Sequence, residues 1–159
     1  MTESPEQQAR DKALRTAANV LQYRQRSARA LYDRLLEKGL EPEHAEYAVE
    51  RLRQLGYLND AEYGRLLVRE LSARGYGAGR IRQELREKKL EPDTLEAAME
   101  EYQADPERLR RYIEGKLRGQ APDRRLLKKV SDGLFRRGFS WEEIRAALRR
   151  YADQLEDTE

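Results

Sequence analysis

The sequence predicts an all-α protein: three tandem three-helix repeats in an elongated, curved array. Two observations predict it. The chain repeats itself: a shift of 50 lays Leu35 on Leu85, Lys38 on Lys88, and Leu40-Glu41-Pro42 on Leu90-Glu91-Pro92, and a third copy follows 49 residues on, with Val130, Leu134, Gly138 and Phe139 over Leu31, Leu35, Gly39 and Leu40. A period near 50 residues marks a supersecondary unit used several times. Composition agrees, because 39% of the 159 residues are charged and only 38% are hydrophobic. So lean a chain suits thin apolar stripes on helices whose neighbours share a core.

Nine helices follow from the periodicity and the punctuation. Helix one covers roughly 11–25, with Leu14, Ala18, Leu21 and Ala17 offered as its apolar side. Ser27 caps helix two, whose stripe is Leu31 and Leu35, and Gly39 closes it in a left-handed cap. Pro42 opens helix three, where its missing N–H costs nothing, and Ala45, Val49 and Leu52 line it. Gly56 stops that helix, and Asn59 or Asp60 caps helix four, with Tyr63, Leu67 and Leu71 at steps of four. Helix five carries Ile81 and Leu85, and helix six starts at Pro92 and carries Leu95 and Met99. Asp105-Pro106 opens helix seven, lined by Leu109, Ile113 and Leu117. Helix eight, about 122–137, carries Leu126, Leu127, Val130 and Leu134 and ends at Gly138. Ser140 and Glu143 form a capping box for helix nine, lined by Ile144, Leu148 and Tyr151. The expected division is a disordered segment 1–9, repeats at 10–56, 57–104 and 105–153, and a disordered acidic tail 154–159.

Several chemistries lack their residues. With no cysteine and a single histidine, His44, disulfides, thiolate catalysis and the usual zinc ligand sets cannot be assembled. Carboxylates interleave with Arg and Lys at helical spacing, as in Glu84 and Lys88, which suits paired surface charge better than an acid–base dyad. No cofactor and no enzymatic activity are expected. The N-terminus lacks a signal pattern and no apolar run reaches membrane-spanning length, so the expectation is a soluble, cytoplasmic monomer with no membrane partner. Gly75-Tyr76-Gly77-Ala78-Gly79 has the wrong glycine spacing for a dinucleotide loop and no following Lys-Ser/Thr. It reads as the joint between helices four and five, leaving open whether its N–H groups meet a phosphate or a carboxylate.

The net charge of +2 conceals a segregation. Residues 106–150 hold 14 Lys and Arg against 6 Asp and Glu, whereas residues 1–105 hold 18 against 20. A basic group recurs at the same joint of each repeat: Arg24, Arg26 and Arg29 in the first; Arg74, Arg80 and Arg82, with Arg65 and Arg69 before them, in the second; Arg118, Arg124, Arg125, Lys128 and Lys129 in the third. These are the candidate contact residues for phosphates or acidic side chains.

The specific strings carry a resemblance. Tyr23-Arg24-Gln25-Arg26-Ser27, then Leu55-Gly56-Tyr57-Leu58-Asn59-Asp60, then Arg74-Gly75-Tyr76-Gly77 with Arg80-Ile81, and last Arg136-Arg137-Gly138-Phe139 with Ile144, occur in that order. The chain resembles the RecX family of recombinase regulators over about residues 12–152. The resemblance implies tandem three-helix repeats and a non-enzymatic protein. It also implies binding along the groove of the RecA nucleoprotein filament, with suppression of its ATP hydrolysis, strand exchange and coprotease activity. Lys89, where the other repeats have glycine, and Trp141, where they have proline, are turn-level departures. The alternative is a helical-repeat nucleic-acid-binding protein acting through the basic third repeat, with weak nonspecific binding of single- or double-stranded DNA. Helices three and six are acidic, which leaves helix nine, with Arg145, Arg149 and Arg150, as the one suitable reader.

Overall fold

The computed structural model describes residues 3–157. Among them are nine α-helices and no strand: α1 (Pro5–Tyr23), α2 (Ala28–Glu37), α3 (Pro42–Gln54), α4 (Asp60–Ala73), α5 (Ala78–Glu87), α6 (Pro92–Met99), α7 (Pro106–Leu117), α8 (Arg124–Arg136) and α9 (Trp141–Asp157). Both ends are more helical than their composition suggests. Ser4 Oγ accepts the Gln7 N–H at 3.1 Å, with Pro5 in the first turn, so residues 5–9 belong to α1 rather than to a disordered segment. At the other end Leu155 packs on the core beside buried Tyr151, whose hydroxyl donates to the Gln120 carbonyl at 2.9 Å. That contact carries α9 through residues 154–157. Residues 1, 2, 158 and 159, also read as disordered, lie outside the described residues.

The turns repeat a single chemistry. After α2, the Leu40 N–H donates to Leu35 O and the Gly39 N–H to Leu36 O, with Gly39 at φ +94°. That is the Schellman closure of a helix, and it recurs at Gly56, Gly75 and Gly138. It recurs also at Lys89, a lysine held at φ 63°. The Ser140–Glu143 capping box closes as expected, at 3.0 and 3.1 Å.

The chain folds into two compact units, and their limits are not those of the repeats. One unit comprises the chain up to Leu67 together with Leu85–Ala98; the other comprises Val68–Glu84 and the chain from Met99 onward. In the first, α1 packs mainly on α3 and α2 on both. The facing residues are small: Ala13 and Ala17 on α1, Ala45 and Ala48 on α3, all fully buried. Leu14, Ala17 and Leu21 join this core as expected, and Ala18 departs from the expectation. Ala18 faces solvent and Val20 is buried, because only the alanine face lets two helices approach closely. In the second unit α7 and α8 pack on α9 around Ile113, Val130, Leu134, Ile144 and Ala147. Leu127, expected in this core, is 36% exposed.

Leu35, Leu85 and Leu134 occupy matching positions, each with no exposed surface. Replacing any one by alanine is expected to cost about 2–5 kcal/mol in equilibrium denaturation, the range for a leucine truncated in a packed core. Gly39 and Gly138 separate two kinds of glycine requirement. A Cβ at Gly39 would meet nothing within 4 Å, whereas one at Gly138 would overlap the Arg80 backbone nitrogen. Gly39→Ala is therefore expected to cost only the left-handed backbone penalty, roughly 1–2 kcal/mol. Gly138→Ala is expected to lower the melting temperature clearly further.

Candidate interaction surface

The start of a repeat's second helix is bonded to the turn before the next repeat's third helix. In the first unit, buried Ser27 uses its hydroxyl twice: it donates to the Lys88 carbonyl at 2.6 Å and accepts the Ala30 N–H at 3.1 Å. Beside it the Ala28 N–H donates to Asp60 Oδ1 at 2.9 Å. In the second unit the Gly77 N–H donates to the Arg137 carbonyl at 2.7 Å and the Gly79 N–H to Gly138 O at 3.0 Å. A Cβ on Gly77 would stand 2.6 Å from Gly138, so the approach requires glycine. Two N–H groups of the glycine loop are therefore committed inside the protein, and the loop is a joint rather than a phosphate cradle.

These joints divide the candidate cations. Arg24 and Arg26 lie together in the first unit, on a concavity of about 320 Å³ that Lys88 and Lys89 also line. Neither arginine makes an ion pair among the described residues, and the buried Arg26 Nε has no hydrogen-bond partner. Arg29 lies outside this concavity and pairs with Asp33 at 3.2 Å; Arg65 pairs with Glu62 at 2.8 Å. In the second unit Arg74 is exposed and Arg69 lies on the exposed side of α4. Arg80 is held by Glu84 at 2.9 Å and stacks on Tyr76, which gives a cation near a helix N-terminus an internal reason to be there. Glu84 is thus engaged with Arg80 rather than with Lys88. Arg82 lines a concavity of about 500 Å³ with Arg80 and Arg136. Arg118 caps α7 in the left-handed region, at φ 52°. Arg124, Arg125, Lys128 and Lys129 are exposed on the first turns of α8, with Lys128 paired to Asp132 at 2.9 Å.

Two arginines outside the candidate set hold the second unit's joint. Arg108 donates to the Ser72 carbonyl at 2.6 Å and to that of Ala73, satisfying the last carbonyls of α4. Arg137 donates to Arg74 O at 3.1 Å and lies over the rings of Tyr76 and Tyr112. Sequence reasoning also missed Lys88, which enters the Arg24–Arg26 concavity because the joint brings it there. His44 is half-buried beside Glu6 and Glu43, with its Nε2 3.3 Å from the Glu6 carboxylate.

Lys89 explains its own departure from glycine. From its left-handed position the Nζ donates to Asp33 Oδ2 at 2.6 Å, and this bond, aided by Arg29, holds the Asp33 carboxyl below its ordinary value of 3.8. A carboxylate depressed in the folded state contributes stability above its unfolded pKa, and that contribution vanishes as the pH falls through the folded value. Lys89→Met is expected to melt below the parent protein at neutral pH, with the gap closing as the pH drops below about 4. Thermal melts from pH 7 to pH 2.5 check both the sign and the window.

Fold and surface together define a class: an all-helical protein of three three-helix repeats, with cations gathered near the joints. Known proteins make the class specific. Models of the RecX first, second and third three-helix domains match residues 9–52, 59–99 and 103–148, in that order. The regulatory protein RecX of Xanthomonas oryzae pv. oryzae is 38% identical over 135 residues, covering 84% of each chain. That of Stenotrophomonas maltophilia is 33% identical over 135 residues, covering 84% of this chain and 83% of the relative. The crystal structure of RecX from Lactobacillus salivarius superimposes with a TM-score of 0.81 at 21% identity, covering 91% of this chain and 97% of the other. A second RecX crystal structure gives 0.75 at 25% identity, covering 93% of this chain and 79% of the other. The chain belongs to the RecX family of regulatory proteins.

Proposed function

We propose that this protein binds a RecA-type recombinase filament in the cytoplasm and inhibits its ATPase, strand-exchange and coprotease activities without catalysis of its own. Family membership over all three repeats supports the recombinase as partner. The observation on this chain that supports a contact role is the concavity lined by Arg24, Arg26 and Lys88, in which neither arginine has an ion-pair partner among the described residues although Asp33, Glu37 and Glu87 line it too. Arginine left unpaired at a surface suits carboxylates or phosphates, both of which a nucleoprotein filament offers. The mechanism is bridging. Contacts from different repeats to neighbouring protomers add through effective concentration, so weak individual contacts hold one filament state against the cycle of ATP turnover.

An ATPase assay of the cognate recombinase on single-stranded DNA, with this protein titrated in, tests the reading. Inhibition complete well below one protein per protomer is the expected outcome. Inhibition that tracks only the occupancy of free DNA would replace bridging with competition, and no inhibition would remove the recombinase as partner. Reversing both arginines, Arg24→Glu with Arg26→Glu, is expected to weaken inhibition; exposed Arg24 adds little to folding, so a modest drop in melting temperature is expected from Arg26, whose Nε is buried. A double variant that unfolds instead assigns these arginines to the joint.

A further inference from the structure

The second unit exposes two large aromatic rings that the core does not use. Phe135, at the end of α8, and Trp141, at the start of α9, are 49% and 43% exposed. Their rings are stacked, with centroids 4.6 Å apart and planes within 11°. Parallel stacking leaves one outer face on each ring. A cluster of this kind left in solvent signals a binding surface rather than a packing element.

The surrounding charge says what would bind. On α8, residues spaced by four and seven share a face. Arg124, Lys128 and Phe135 lie on one such line, and Arg125, Lys129 and Arg136 on the line beside it. The cations therefore run along α8 for about 18 Å, at 1.5 Å per residue, and lead to the stacked rings. Arg145, one turn beyond Trp141 on α9, adds an exposed cation. The nearby carboxylates are largely engaged: Asp132 holds Lys128, and Glu143 accepts the Ser140 N–H in the capping box. Glu142 alone is exposed there without a partner among the described residues. Against Phe135 lies the 500 Å³ concavity lined by Arg82 and Arg136, roomy enough for a nucleobase.

We propose that the Phe135–Trp141 pair is a base-stacking platform for single-stranded nucleic acid, with the α8 cations tracking its phosphates. Stacked rings beside a cationic track match unpaired bases, whose faces are open. A duplex buries those faces in its own stack, so the platform prefers single strands and is tolerant of sequence.

Trp141 is the only tryptophan of the chain, so its fluorescence reports on the platform directly. Titrating the full-length protein with a thymidine oligonucleotide is expected to quench that emission in step with binding read by anisotropy of a labelled strand. The affinity is expected to fall with added salt as counterions are released. Trp141→Ala is expected to weaken binding roughly 5- to 100-fold, the range for losing one stacked base, with Trp141→Phe retaining most of it. An abasic strand of equal length is expected to bind the parent protein as weakly as the thymidine strand binds Trp141→Ala. Circular dichroism melts check that the variants are folded. The proposal is overturned if the strand binds without changing Trp141 emission, if the abasic strand binds equally well, or if a duplex of the same length binds as tightly. It is overturned too if no strand binds, in which case the rings anchor a protein partner. The assay contains no recombinase, so its failure leaves the filament reading untouched.

Discussion

The bond between successive repeats is the constraint on which the rest of this structure depends. It appears twice, at equivalent positions and with different chemistry. Ser27 reaches the Lys88 carbonyl through a hydroxyl; Gly77 reaches the Arg137 carbonyl through its own N–H. The offsets of 50 and 49 make Ser27 equivalent to Gly77 and Lys88 equivalent to Arg137. A hydroxyl spans a wider gap than a backbone N–H. The serine joint therefore tolerates a side chain at its partner turn, while the glycine joint demands bare backbone on both sides. The joints also account for compact units whose limits ignore the repeats. A repeat's second helix is tied to the third-helix turn of its successor, so the middle repeat contributes residues to each unit.

The same constraint sorts the arginines. Arginine outnumbers lysine in this chain, and in the sequence all of it looks alike. In the fold, Arg108 and Arg137 satisfy backbone carbonyls at the end of α4 and just beyond it, and Arg80 is shared between Glu84 and Tyr76. These charges are parts of the joint. Arg24 and Arg26 are left without an ion pair among the described residues, in a concavity that Lys88 also lines. An arginine's planar fork serves either purpose equally well. What it meets depends on which turn the neighbouring repeat brings alongside.

Lys89 illustrates a local rule broken with a compensating gain. A lysine at φ 63° is less favourable than the glycine that the other repeats carry. Its side chain bonds Asp33, linking the second repeat's turn to α2 of the first. Glycine would relax the backbone and remove that link. A departure that looks like drift in the repeat pattern is a contact between repeats.

The sequence by itself determined the helices, their caps and the period. Gly39, Gly56 and Gly138 mark the helix closures, and Ser27, Asp105 and Ser140 supply capping oxygens, because these effects act within one turn of chain. The leucines at matching phase foretold the buried sites for the same reason. Tertiary structure decided what local signals do not encode. It buried Ala13, Ala17 and Val20 of α1 and turned Ala18 to solvent, since helix separation depends on both partners. It left Phe135 and Trp141 in solvent, although a lone hydropathy pattern gives an aromatic residue no address. It also separated structural arginines from free ones. Carbonyl acceptors 36 to 63 residues away, that of Ser72 for Arg108 and that of Arg74 for Arg137, are set by the approach of whole repeats, and no short stretch of sequence records that approach.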